Sequence, residues 1–96
     1  MTKLLQKHQQ EIEKICRDSG IKSLAVFGSH ARGEAKMESD VDLLVEFSET
    51  PGLIEFIRTK QKLESVLKHK VDLVTKKGLS KYIVPYITQD IQQIYG

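Results

Sequence analysis

Apolar positions along the chain follow helical spacing in some stretches and form short continuous runs in others. Helical spacing predicts helices over residues 3–18 and 53–68, and a final helix marked by Ile83, Ile87, Ile91 and Ile94. Short apolar runs predict strands at 23–27, 41–47 and 71–74. A single helical turn at 29–32 completes the predicted order, α-β-α-β-α-β-α.

This order predicts an α/β fold, in which helices pack on a sheet. Ser29 ends the first strand, whereas Asp40 and Asp42 begin the second, so these polar residues meet only if the two strands are antiparallel. Asp72 begins the third strand and joins them only if strands two and three are parallel. The helix over 53–68 is then a right-handed crossover. We therefore expect a three-stranded mixed sheet, in the order 1-2-3, flanked by helices.

Gly28 and Ser29 form a polar turn directly after the first predicted strand. Glycine lets the backbone turn sharply and lets a phosphate approach it closely, and the unpaired N–H groups of a helix's first turn bind anions. An ordinary strand-to-helix turn, with Ser29 as the N-cap, would use the same residues. A P-loop is excluded, because Glu34 and Ala35 stand where that motif requires lysine and a hydroxyl residue.

Asp40 and Asp42 are separated by one residue at the start of the second predicted strand, so their side chains face the same side of the sheet. Two carboxylates there repel each other unless a cation lies between them. Mg²⁺ suits such a site, because it takes oxygen ligands and shares the rest of its coordination with phosphates. Two such ions can clamp the attacking and leaving oxygens of an in-line displacement. A polar strand entrance, with Asp40 capping the loop, is the alternative.

Asp72 interrupts the apolar run 71–74, where an unpaired carboxylate would be costly if it were buried. Its partner is either a lysine such as Lys70 or the metal site. In the second case Asp72 would complete the metal cluster and act as a general base for an incoming hydroxyl. Arg32 would reach a triphosphate and stabilise charge that develops on it, or else form a surface salt bridge with a nearby glutamate.

Two segments of the chain resemble the signature of the DNA polymerase β-like nucleotidyltransferase superfamily: Gly28-Ser29-His30-Ala31-Arg32-Gly33 and Ser39-Asp40-Val41-Asp42-Leu43-Leu44-Val45. The segment Val71-Asp72-Leu73-Val74 resembles the strand that carries the third carboxylate of that superfamily. The element order and the length resemble its minimal nucleotidyltransferase (MNT) branch, and the resemblance extends over nearly the whole chain.

The resemblance implies transfer of a nucleoside monophosphate, AMP from ATP or the equivalent from another nucleoside triphosphate, to an acceptor hydroxyl. It implies that two Mg²⁺ ions are bound and that the same three residues bind them and carry out catalysis: Asp40, Asp42 and Asp72. It assigns nucleotide and phosphate binding to Gly28, Ser29 and Arg32. Such small members are often encoded beside a HEPN-domain protein in toxin–antitoxin pairs, where the small protein is the antitoxin and modifies its toxin with AMP. A HEPN-domain partner is therefore expected.

The length and composition suit one small soluble domain over residues 1–96, since 40% of the 96 residues are hydrophobic and 29% are charged. The single cysteine, Cys16, excludes an intrachain disulfide, and its helical position favours a core residue. No apolar stretch is long enough to cross a membrane, and the N-terminus turns polar at once. The expected location is therefore cytoplasmic.

Lysines concentrate in the second half of the chain: Lys60, Lys62, Lys68, Lys70, Lys76, Lys77 and Lys81. They form either a solvated face or a surface that attracts a polyanion. Nucleic acid is the weaker candidate, because the block lacks interleaved aromatic residues. A second copy of the chain is a further candidate partner. The alternative to an enzyme is a binding module that neutralises a partner by contact alone.

Overall fold

The described part of the chain forms a four-stranded mixed sheet, and its helices pack on one face of that sheet. The computed structural model describes residues 3–28, 40–75 and 91–96. In these ranges the elements are α1 (Lys3–Lys7), α2 (Gln9–Asp18), β1 (Ile21–Phe27), β2 (Val41–Phe47), α3 (Leu53–Leu67), β3 (Val71–Thr75) and β4 (Gln92–Tyr95). The predicted helical turn at 29–32 lies outside the described residues. None of the described helices has the length and apolar character needed to cross a bilayer.

The helix predicted over residues 3–18 is two helices, because the backbone leaves helical geometry at His8, where φ is −109° and ψ is 18°. Helix α2 starts there, with the Ile12 N–H donating to the His8 carbonyl oxygen at 2.9 Å. Ile12, Ile15 and Cys16 are the buried residues of α2. The predicted apolar face of this helix is therefore confirmed.

The sheet has the strand order β3-β2-β1-β4. Strands β1 and β2 are antiparallel, and β2 and β3 are parallel, as the positions of the polar residues predicted. Helix α3 is the crossover between the two parallel strands, and it ends where Lys68 takes a left-handed conformation with φ 55°. The order 1-2-3 is thus confirmed, with a further strand beside β1.

The C-terminal residues form a strand where we predicted a helix. Strand β4 pairs with β1 in the antiparallel direction, and it includes Ile94, which is buried in the core. Helical spacing of isoleucines misled the prediction, since β-branched residues also favour strands and the second edge of β1 offers unpaired backbone groups. Ile83 and Ile87, which marked the start of the predicted helix, lie outside the described residues.

The core lies between the sheet and the helices α2 and α3. Val41, Leu43 and Val45, at alternate positions of β2, are completely buried. They share one cluster with side chains of both helices, among them Ile12 and Leu63. Because strand side chains alternate, Asp42 and its neighbours two residues apart project from the other face of the sheet. One face of β2 therefore supplies this core, whereas the other carries Asp42 next to a leucine, Leu44, that is also buried.

Candidate active site

Asp42 and Asp72 lie side by side on neighbouring strands. They are direct partners in the parallel register of β2 and β3, so their Cα atoms are separated by about one strand spacing, about 4.8 Å. Both project from the face of the sheet opposite the helices. Asp42 is half-buried and Asp72 is exposed. Like charges placed directly opposite each other destabilise a sheet, so this pairing favours a role in binding a cation.

Gly28 packs against the carboxylate of Asp42 from the other side. It follows the last residue of β1, Phe27, which is the register partner of Asp42. Gly28 has φ +75°, and a Cβ atom added to it would overlap Oδ2 of Asp42 and lie 3.3 Å from its Cγ atom. The absent side chain thus makes room for the carboxylate, and the turn after β1 starts directly beside it. The close approach that the structure shows at Gly28 is to the Asp42 carboxylate, and phosphate binding at this turn stays a prediction.

The turn between α3 and β3 sets the position of Asp72. The Lys68 N–H donates to the Glu64 carbonyl oxygen at 2.7 Å, and the Val41 N–H donates to the Lys70 carbonyl oxygen at 2.8 Å. The Glu64 carboxylate accepts a hydrogen bond from the Val71 N–H at 3.1 Å. These bonds tie the end of the crossover helix to the first residues of both parallel strands. Asp72 follows directly, so its position depends on this turn.

Glu64 is a residue that sequence reasoning missed. It is half-buried, and its side chain satisfies a backbone N–H at the start of β3. A glutamate in the last turn of a helix has no special meaning by itself, and only the tertiary structure shows which N–H it reaches. The sequence carried one weak indication, which is that few residues separate the end of a helix with an apolar face from the apolar strand that follows it.

Asp40 stands apart from the other two aspartates. It precedes the first residue of β2 and is exposed. In the part of the chain that the structure describes, no three side chains of histidine, cysteine, aspartate or glutamate converge closely enough to hold a metal ion. The structure therefore brings Asp42 and Asp72 together and leaves Asp40 at the margin of the pair.

Asp72 interrupts the apolar run of β3 without being part of the buried core. Its side chain is exposed at the edge of the sheet, because the alternation of β3 places Val71 and Leu73 in the core and Asp72 on the opposite face. No ion pair joins Asp72 to Lys70 among the described side chains. Of the lysine alternatives for its partner, Lys70 is therefore not realised in the described part of the chain. Ser29 and Arg32, the other predicted site residues, lie outside the described residues.

The two paired carboxylates fit the requirements of Mg²⁺. This ion is commonly held by one or two carboxylates and completes its octahedral shell with water and substrate phosphates. Asp42 and Asp72 offer hard oxygen donors on adjacent strands, and the turn that starts at Gly28 lies on the side where phosphates are expected. The donor set therefore suits magnesium shared with a nucleotide.

Comparison with known proteins gives the family of the chain. A family model described as "Nucleotidyltransferase domain" matches residues 9–94. The chain is 40% identical over 88 residues to the protein adenylyltransferase MntA of Thermococcus cleftensis, which covers 92% of this chain and 86% of that protein.

Two solved structures show the same fold. A crystal structure of a toxin–antitoxin with AMP-PNP matches with a TM-score of 0.77 and 29% identity, over 92% of this chain and 73% of the matched chain. A tri-AMPylated Shewanella oneidensis HEPN toxin in complex with an MNT antitoxin matches with a TM-score of 0.71 and 27% identity, over 95% and 71%. Because the family model covers residues 9–94 and relatives over most of the chain are named protein adenylyltransferases, the chain belongs to the nucleotidyltransferase domain family and is a nucleotidyltransferase.

Proposed function

We propose that this chain transfers AMP from ATP to a hydroxyl group of a partner protein, in a magnesium-dependent reaction, and that it acts as the antitoxin of a HEPN-domain toxin. The observation that carries the proposal is the adjacency of Asp42 and Asp72, with Gly28 packed against Asp42. The relatives named as protein adenylyltransferases, and the related structures with a HEPN toxin, support the choice of acceptor and partner.

The reaction forms one bond and breaks one. The oxygen of the acceptor hydroxyl attacks the α-phosphorus of ATP, the bond from that phosphorus to the bridging oxygen breaks, and pyrophosphate leaves with the electron pair. Asp72, which is exposed at the edge of the sheet, receives the proton of the hydroxyl as a general base. Gly28 and Ser29 hold the outer phosphates, and Arg32 offsets charge on them.

Magnesium would be held by Asp40, Asp42 and Asp72, and it would neutralise phosphate charge and polarise the phosphorus for attack. Asp40 is exposed and lies two residues before Asp42, directly before β2. The chain's own contribution is the fixed spacing of Asp42 and Asp72, which the parallel register sets before any ligand arrives.

The test is intact mass spectrometry of the HEPN-domain protein that co-purifies with this chain, after incubation with ATP and Mg²⁺. We expect the partner to gain one or more AMP units. The matched control is Asp42→Asn, which keeps the side-chain shape and removes the charge, and which should abolish the gain. A partner that stays bound and unmodified with each of the four nucleoside triphosphates would overturn the proposed reaction. Neutralisation by contact would then explain the antitoxin role.

A further inference from the structure

We propose that the acceptor reaches the site over the β3 edge of the sheet, across a basic turn formed by Lys68, His69 and Lys70, and that it carries acidic residues next to its reactive hydroxyl. This inference rests on the proposed function and adds the chemistry by which the acceptor is recognised. It uses the lysines that the proposed reaction leaves without a role.

The order of strands gives the reaction a direction across the sheet. Gly28 follows β1, Asp42 lies on the neighbouring β2, and Asp72 lies on β3 beyond it. An in-line displacement requires the attacking and leaving oxygens on opposite sides of the phosphorus. If the outer phosphates lie at the turn after β1, the hydroxyl must come from the side of β3. Because β3 is the last strand of the described sheet on that side, the hydroxyl would cross the β3 edge to reach Asp72.

The basic turn lies at the start of β3. Helix α3 ends at Leu67, and the left-handed conformation of Lys68 reverses the chain toward the strand. The Lys70 carbonyl oxygen accepts from the Val41 N–H, so the turn is level with the start of β2, where Asp40 and Asp42 lie. His69 is held by a contact of 2.7 Å between its Nδ1 atom and the Leu67 carbonyl oxygen. The backbone of the turn is therefore fixed next to the paired carboxylates.

The two lysines of this turn are exposed and carry no ion pair among the described residues. Lys22, at the far end of the sheet, differs in this respect, because its Nζ atom lies 3.8 Å from Oε1 of Glu46. The carboxylate of Glu64 is directed to the Val71 N–H. Two ammonium groups thus face solvent at the entrance that the hydroxyl must use, and they complement an anionic segment of the acceptor.

A protein segment fits this surface better than RNA. The turn contains no phenylalanine, tyrosine or tryptophan on which bases could stack. Each exposed ion pair contributes little by itself, so an acidic segment with several carboxylates is needed for measurable selectivity. Carboxylates beside the hydroxyl would meet both lysines while the hydroxyl reaches Asp72.

The test measures binding separately from turnover, by fluorescence anisotropy of labelled ligands. Three ligands are tyrosine peptides of equal length in which glutamate, serine or lysine residues flank the tyrosine. The fourth ligand is an oligoadenylate RNA. We expect the glutamate peptide to bind most tightly, and to lose about tenfold in affinity in the double variant Lys68→Glu/Lys70→Glu. The double variant Lys68→Gln/Lys70→Gln should lose about threefold in affinity for the same peptide, which is half of the tenfold loss on a logarithmic scale. Lys14→Glu, an exposed charge reversal on α2, is the matched control and should change the affinity less than twofold.

A kinetic split completes the test. With the HEPN-domain protein as acceptor, the double variant should raise KM for the acceptor and leave KM for ATP within twofold. Equal binding of the three peptides, no binding of any peptide, or an unchanged affinity in the double variant would overturn the inference. Tighter binding of the RNA, lost in the same variant, would assign the turn to nucleic acid instead. Because peptide binding needs no turnover, failure of this inference is distinct from failure of the proposed reaction.

Discussion

The two faces of the central strand β2 differ sharply in what their side chains do. On one face Leu43 is completely buried among the helices. On the other, one residue earlier, Asp42 lies beside Asp72 and under Gly28. Adjacent residues of this seven-residue strand thus have different environments, although Leu44, on the same face as Asp42, is also buried. The comparison teaches that substitutions of adjacent residues should fall into separate classes, one measured by unfolding and the other by transfer.

Asp72→Asn should have the largest effect, a loss of about 10²- to 10⁴-fold in the rate of AMP transfer, because the substitution removes the general base and a metal ligand while keeping the side-chain shape. The free energy of unfolding should stay the same or rise slightly, since Asp72 is exposed and the substitution removes its repulsion with Asp42. Radiolabelled AMP transfer and urea unfolding on the same preparation check both parts. A stability loss as large as that of a core substitution would break the division between the two faces.

Leu43→Ala should destabilise the fold by about 2–5 kcal/mol, because Leu43 is completely buried and its removal leaves a cavity. Urea unfolding measures this loss. Once corrected for the folded fraction, the transfer rate should stay close to that of the unchanged chain. A lower rate in fully folded protein would mean that the core face also sets the geometry of Asp42.

Gly28→Ala should cost about 1–3 kcal/mol and reduce transfer as well, because Gly28 has a positive φ and its added Cβ would displace the Asp42 carboxylate. Gly20→Ala is a matched control: Gly20 has φ +68°, and an added Cβ would meet nothing within 4 Å. Gly20→Ala should therefore lower the free energy of unfolding only by the cost of placing alanine at a positive φ, without affecting transfer. Equal effects of the two substitutions on transfer would contradict the role that we assign to the close approach.

Glu64→Ala should cost about 1–2 kcal/mol, because the Val71 N–H loses its acceptor at the start of β3. Glu64→Gln keeps an acceptor oxygen and should recover most of the stability and the transfer rate. Thermal unfolding and transfer assays compare the two variants. If glutamine and alanine behave alike, the hydrogen bond does not position Asp72.

Titration of the Cys16 thiol should have the smallest effect on stability, and this effect should be confined to alkaline solution. Burial, with a smaller contribution from the negative charge of Glu13, raises the pKa of its thiol from 9.0 to about 12. The folded chain therefore holds a proton that the unfolded chain releases above pH 9. The free energy of unfolding should fall as the pH rises from 9 to 12, by about 1 kcal/mol at pH 10. Cys16→Ala should lack this part of the slope in urea unfolding measured at pH 8 and pH 10.

Much of the sheet could be predicted from the sequence. Strand β2 begins and ends at the residues that its apolar run predicted. The assumption that the polar residues lie close together correctly predicted the relative directions of the three strands. The C-terminal strand could not be predicted, because isoleucines at helical spacing suit either element until the free edge of β1 is known. The role of Glu64 also required the tertiary structure, since local spacing does not show which backbone N–H its side chain reaches.

The parallel pairing of β2 and β3 has a consequence for how the chain becomes functional. Asp42 and Asp72 meet only after the long α3 crossover has formed and docked, because parallel strands cannot be joined by a tight turn. Non-local contacts of this kind form more slowly than local ones, because the entropy of loop closure is lost before the contacts compensate for it. A partly folded chain would hold the two aspartates apart and could not carry out transfer. AMP transfer therefore reports that the fold is complete. The rate at which transfer activity returns during refolding would measure how fast β2 and β3 pair.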